Sequence, residues 1–170
     1  GAENPSNRRA EAKLKDDRPV RADRRIVETH LLGGAGASAL VTADGMIHYQ
    51  RFGVQGTRFS GDLINRSDGA CVHVRLERTG EAAILGGKGV FAPGVATLQR
   101  ELGPVACEMR VCVSPEDGAL IKQITLRNSG RSAEGIRVAD CAPVALDAQA
   151  DQLAHPVFRH LFVESERIAR

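Results

Sequence analysis

The most regular stretch of the chain is residues 105–113. Val105, Cys107, Met109, Val111 and Val113 are apolar at strict two-residue spacing, with Glu108 and Arg110 between them. Successive side chains of a strand point to opposite faces, so this pattern predicts a half-buried strand with one wet face. Ser114-Pro115-Glu116-Asp117-Gly118 then makes a turn, in which proline fixes φ and glycine supplies freedom. Residues 119–127 predict the returning strand. Its Ile121 and Ile124 are an odd distance apart, which calls for a bulge or for burial on both faces. Asn128-Ser129-Gly130 turns the chain again, and residues 136–146 predict a third strand interrupted at Pro143. A loop leads to His155-Pro156, and residues 161–164 are read as a strand closing the sheet.

The earlier part follows the same logic. Residues 37–42 predict a strand, Ala43-Asp44-Gly45 a hairpin turn, and residues 46–52 the return, because Asp-Gly accepts the positive φ of such turns. Residues 53–69 read as a loop. Residues 70–76 alternate, with Cys71 and His73 on one face and Val72 and Val74 on the other. Arg78-Thr79-Gly80 is a turn, residues 81–85 a short strand, Gly86-Gly87-Lys88-Gly89 a flexible loop, and residues 95–102 a further strand. No 3.6-residue periodicity persists, and no repeat of 20–50 residues indicates a propeller. Many short strands between Gly, Pro and Asn turns predict an all-β, antiparallel β-sandwich over residues 26–170.

Residues 1–25 differ. They hold eight Lys/Arg and five Asp/Glu, and a short helix over residues 8–15 would have no apolar face to bury. This segment is read as a flexible charged arm or linker, in preference to a contact for a phosphate backbone or anionic lipid. Its balance of +3 against a net charge of +2 leaves the body at −1, nearly neutral, with no basic face for nucleic acid. No apolar run nears the roughly 20 residues of a membrane helix, which predicts no direct membrane insertion. With no secretory signal visible, a cytoplasmic location is expected, as a free domain or within an inner-membrane enzyme. The start at Gly1 suggests a processed or cut piece of something longer.

Candidate chemistry is sparse. The four cysteines lack C-x-x-C spacing, and Cys107 and Cys112, five apart on one strand, point to opposite faces. They are expected to be reduced, buried and hydrophobic in role. The five histidines show no ligand-pair spacing, so neither a metal nor another cofactor is expected. Ser114 sits in no nucleophile elbow, Glu116 and Asp117 read as solvated turn carboxylates, and Gly86-Gly87-Lys88 lacks the rest of a phosphate loop. Aromatic residues make up only 4% and Trp is absent, which is thin for stacking on sugar faces.

Two segments carry a family resemblance. Val113-Ser114-Pro115-Glu116-Asp117 followed by residues 121–128 is similar to a "VSPEDD…RRVTLTN" hairpin. Ala154-His155-Pro156-Val157-Phe158 followed by Leu161-Phe162-Val163-Glu164-Ser165-Glu166 is similar to "AHPAFSKLFVETE". Both patterns belong to the sandwich domain of glycoside hydrolase family 94, formerly glycosyltransferase family 36. That domain occurs in cyclic β-1,2-glucan synthases and sugar phosphorylases. A weaker likeness runs from His30-Leu31-Leu32 through Tyr49, Arg51 and Phe52 to Thr57-Arg58-Phe59, so the resemblance spans residues 28–166.

The resemblance implies a galactose-mutarotase-like supersandwich that accompanies an (α/α)6 barrel, in the same or a partner chain. In the phosphorylases an Asp of that barrel protonates the leaving oxygen while phosphate attacks. No position of this chain matches that acid, so no catalytic residue is assigned. The chain also departs from the family: Gly34-Ala35-Gly36-Ala37 stands for Asn-Gly-Arg-Tyr, and Phe52 and Phe59 stand for two Trp. Asp140-Cys141-Ala142-Pro143 stands for Ser-Tyr-Ala-Glu.

The expected role is a non-catalytic accessory module that shapes a sugar site or docks the barrel. A glucan or oligosaccharide is its candidate ligand, and a self-associating domain, such as a homodimer, is the alternative. The candidate contact residues are Tyr49, Arg51, Phe52, Arg58 and Phe59, together with His155 and Phe158. Arginine can donate several hydrogen bonds to hydroxyls and the rings offer stacking surface. The plainer reading puts Phe52 in the core and Arg51 on the wet face, and makes His155 a loop pin with Phe158 anchored beneath it.

Overall fold

The computed structural model describes residues 27–58, 69–154 and 163–167. Among the described residues, twelve strands and one short helix follow one another. They are β1 (Thr29–Gly34), β2 (Ala37–Thr42), β3 (Ile47–Arg51), β4 (Val54–Thr57), β5 (Cys71–Leu76) and β6 (Ala82–Ile84). Then come β7 (Lys88–Ala92), β8 (Val95–Leu102), β9 (Val105–Val113), β10 (Leu120–Asn128), β11 (Ile136–Cys141), β12 (Val144–Ala148) and α1 (Gln149–Ala154). The predicted arm and its short helix lie outside the described residues, as do Phe59, His155 and Phe158. Among the described residues, no helix is long and apolar enough to cross a membrane.

The strands form three antiparallel sheets: a five-stranded sheet ordered β1-β2-β3-β4-β12, a four-stranded sheet ordered β10-β9-β8-β7, and a three-stranded sheet ordered β11-β5-β6. Ile47 and Ala70 exchange two backbone hydrogen bonds of 2.8 Å, which tie the five-stranded sheet to the start of β5. One core serves all three sheets. Leu32, Val41, Ile47, Val72, Val74 and Leu76 meet Leu98, Val105, Met109 and Val111 of the four-stranded sheet. Each such side chain removed from water contributes about 1.5–3 kcal/mol, so the shared core holds the layers together.

Strand β9 shows the predicted alternation, with Val105, Cys107, Met109, Val111 and Val113 buried. The β9–β10 register runs unbroken from Leu120↔Val113 to Asn128↔Val105, so no bulge forms. Ile124 packs against the core while Ile121 stands 48% exposed on the other face.

The structure corrects the sequence reading at several points. Residues 53–69 include strand β4, and Lys88 and Gly89 of the expected glycine loop belong to β7. The long strand over residues 136–146 is two strands in different sheets, because Ala142-Pro143 breaks the ladder and β12 pairs with β4. Residues 149–154 are helical, and residues 163–164 lie in no strand. Cys71 and Cys107 are buried thiols, but Cys112 is only half-buried and Cys141 is exposed. Gly86 has a plain steric reason: a Cβ there would stand 2.4 Å from the Asp44 carbonyl carbon, so the β2–β3 turn could not pack on it.

Candidate functional site

Three turns meet at one end of the sandwich. The β1–β2 turn places Ala35 and Gly36 at φ of 48° and 73°, and the β3–β4 turn places Phe52 and Gly53 at 49° and 78°. Two consecutive residues in the left-handed region make the tight hairpin connection that suits strand twist. The third turn, between β9 and β10, closes on itself. The Ser114 amide donates to Ala119 O at 2.9 Å, and the Ala119 amide donates to Asp117 Oδ1 at 3.0 Å.

Contacts between the turns fix their relative positions. The Phe52 amide donates to Gly36 O at 2.9 Å, and the Phe52 ring lies so close over Gly36 that a Cβ there would be 2.1 Å from it. The Tyr49 hydroxyl donates to Gly118 O at 2.8 Å. A Cβ on Gly34 would come within 2.9 Å of Ser114 O. Tyr49 is itself held, because its amide donates to Thr57 Oγ1 at 2.8 Å and its ring covers Gly56.

This framework presents a small mixed surface. Phe52 is 74% exposed, so the structure corrects the reading that put it in the core. A phenylalanine held at positive φ and in solvent is uncommon and strained. The Arg51 guanidinium lies 5.1 Å from the Phe52 ring centre, a cation–π contact. Asp117 shares this end, and its carboxyl is held below the usual carboxylate range. The Ser114 hydroxyl and the Ala119 amide are the leading causes, desolvation opposes them, and the Arg51 charge adds to the lowering. An aromatic face and a guanidinium thus stand in contact here, with a carboxylate on the neighbouring turn. They can stack on an apolar face and both donate and accept hydrogen bonds.

Of the predicted contact residues, the structure brings together Tyr49, Arg51 and Phe52. Arg58 lies beyond the opposite end of β4, where its amide donates to Pro143 O at 2.7 Å. Sequence reasoning passed over Asp117 as a solvated turn carboxylate. The Ser-Pro-Glu-Asp-Gly turn was the available signal, but nothing local says which other turn it meets. A second feature has no signal in the sequence. On the five-stranded sheet, Leu31, Ser38, Leu40, His48, Gln50 and Gln55, together with Thr57 and the predicted contact residue Tyr49, line a groove of about 160 Å³. Among the described residues, no group of three His, Cys, Asp or Glu side chains is placed to hold a metal ion.

Beside β4, the margin of the five-stranded sheet is apolar. Val54 is 45%, Val144 41% and Leu146 67% exposed, and Leu146 sits at φ 56° where the β4–β12 register shifts. Strand β12 is the last strand of its sheet, so its outer backbone edge is open among the described residues.

A family model described as the glycosyl hydrolase 94 supersandwich domain matches residues 20–170. The chain is similar to the cyclic beta-(1,2)-glucan synthase NdvB of Rhizobium meliloti (strain 1021), at 26% identity over 168 aligned residues. The match takes in 93% of this chain and spans only 6% of the length of that relative. Antiparallel sheets around one core, with a family match over most of the sequence, agree: the chain belongs to the supersandwich domain family of glycosyl hydrolase 94.

Proposed function

We propose that this domain is a non-catalytic accessory module of a glucan-synthesising or phosphorolysing enzyme. In this reading the Arg51–Phe52–Asp117 rim faces a β-glucan at the mouth of a helical-barrel catalytic domain, and the sandwich serves as its rigid base. The observation that carries the reading is the exposure of Phe52, 74%, in a strained backbone conformation beneath Arg51. Strain of that kind persists only where the surroundings hold it, and here three interlocked turns do so. A preorganised ring and guanidinium lose little freedom when they meet a ligand. The likeness to a glucan synthase supplies the ligand class. The test is titration with linear β-1,2-gluco-oligosaccharides: binding is expected for the native chain and at least tenfold weaker for Phe52→Ala. Equal affinity of the two would remove the rim from the account.

A second reading has its own observation. Val54, Val144 and Leu146 make an apolar margin along a sheet edge that no strand among the described residues pairs with, and such edges readily pair with another chain. Self-association through β12 would give a concentration-dependent mass in light scattering that Leu146→Lys abolishes.

A further inference from the structure

Cys71 and Cys141 face each other directly across the β5–β11 ladder. Side chains of opposed residues in an antiparallel pair project to the same face. Their Cα atoms are spaced at about 4.5–5.5 Å by the ladder itself, within the roughly 4.4–6.8 Å that a disulfide spans. Both are free thiols, Cys71 buried and Cys141 exposed. They also occupy the end of the ladder: Cys71 is the first residue of β5 and Cys141 the last of β11. Closing a bridge there moves the end of an edge strand rather than the middle of a sheet. The His73 ring nitrogen Nε2 stands 3.4 Å from Cys71 Sγ, where it can accept the thiol proton in its Nδ1–H tautomer.

We infer that Cys71 and Cys141 form a reversible cross-strand disulfide when the domain meets a hydroperoxide. With hydrogen peroxide, the exposed Cys141 sulfur attacks one oxygen; the S–O bond forms, the O–O bond breaks and the departing hydroxide takes up the thiol proton, giving the sulfenic acid and one water. Cys71 passes its proton to His73 and attacks the Cys141 sulfur. The S–S bond forms, the S–O bond breaks, and the departing hydroxide takes up a proton to leave as a second water. Two thiols are oxidised and one hydrogen peroxide is reduced to two waters. Reduction by a dithiol reverses the step. The other two cysteines are not so placed, since Cys107 and Cys112 share one strand and face opposite ways.

The bridge has a structural consequence. Cys141 ends β11, and only Ala142 and Pro143 separate it from β12, which crosses to the five-stranded sheet. Oxidation therefore pins the crossover to β5 and ties down the apolar margin that β12 carries. This inference stands apart from the proposed sugar contact, and neither outcome of that test bears on it.

The test uses the folded chain and hydrogen peroxide, followed by tryptic digestion without reductant and mass spectrometry. The expected product links peptide 67–75 to peptide 138–159, with a mass about 2 Da below the sum of the two thiol forms. It should vanish with dithiothreitol. Two of the four thiols should be lost, and the melting temperature should rise on oxidation and fall back on reduction. Cys112→Ser should keep the link, whereas Cys141→Ser, at an exposed position, should leave Cys71 unlinked. The inference is overturned if both thiols stay free, if Cys141 is oxidised to the sulfinic acid without linking, or if it links to any other cysteine.

Discussion

The Tyr49 hydroxyl donates to the Gly118 carbonyl at 2.8 Å, across 69 residues of sequence. Tyr49 belongs to the five-stranded sheet and Gly118 to the turn of the four-stranded sheet, so this bond joins the two layers at the end that carries the rim. Gly118 is buried, and its carbonyl would be left without the hydroxyl in Tyr49→Phe. A loss of about 1–2 kcal/mol is expected, or roughly 2–4 °C in melting temperature per kcal/mol for a chain of this size. Thermal unfolding followed by circular dichroism measures it. No change would mean that the two turns are held by other contacts.

Gly36 should resist a side chain, chiefly through its backbone. It has φ 73°, and a Cβ there would lie 2.1 Å from the Phe52 ring. Gly36→Ala is expected to destabilise by about 1 kcal/mol through its left-handed backbone, with a smaller steric part because the exposed Phe52 ring can swing aside. Adding Phe52→Ala should recover the steric part and leave the backbone part. A double-mutant cycle by urea unfolding separates the two, and strict additivity would contradict the contact.

The Asp117 turn should loosen in acid. The native carboxyl lies below the ordinary value of 3.8, so the unfolded chain takes up its proton more readily. The stabilisation is therefore complete above that value and is lost as pH falls through it towards the native value. Asp117→Asn should flatten the acid limb of the stability–pH curve. Amide exchange at Ala119, which donates to Asp117 Oδ1, should quicken over the same range.

Alkali should act through the buried thiols. Burial is the leading cause that raises Cys71, with the neighbouring Cys141 and Asp140 charges adding and Lys122 opposing, and burial alone raises Cys107. The native state thus keeps these protons longer than the unfolded chain does. Stability is full below the ordinary thiol value of 9.0 and declines as pH rises past it towards the native values. Cys107→Ala should reduce that alkaline decline, read from urea midpoints between neutral pH and pH of about 10.5. An unchanged slope would contradict the assignment.

Strand β9 was legible because one face is wet, which leaves a clean alternation in the sequence. Strand β4 was not, because its buried positions are Gln55 and Thr57, and Thr57 is held by the Tyr49 amide rather than by hydrophobicity. Strand β7 hides behind Gly89, which lies under the Phe91 ring of the same strand. The split of β11 from β12 was half legible: Pro143 announced the break, but nothing local announced the change of sheet. At the rim, Arg51 and Phe52 were visible as residue types. The exposure of Phe52 was not, since its positive φ is a property of the hairpin and phenylalanine gives no sign of it. The reach of the Arg51 charge to Asp117 depends on two distant turns, so only the folded topology reveals it.

If the rim contacts glucan as proposed, the ligand should perturb its amides. The most direct measurement is titration of the chain with linear and cyclic β-1,2-glucans, watched by amide chemical shifts. Shifts confined to Tyr49–Gly53 and the Ser114–Gly118 turn, absent in Phe52→Ala, are expected. No shift at millimolar glucan, or shifts only away from these two turns, would contradict the proposed contact.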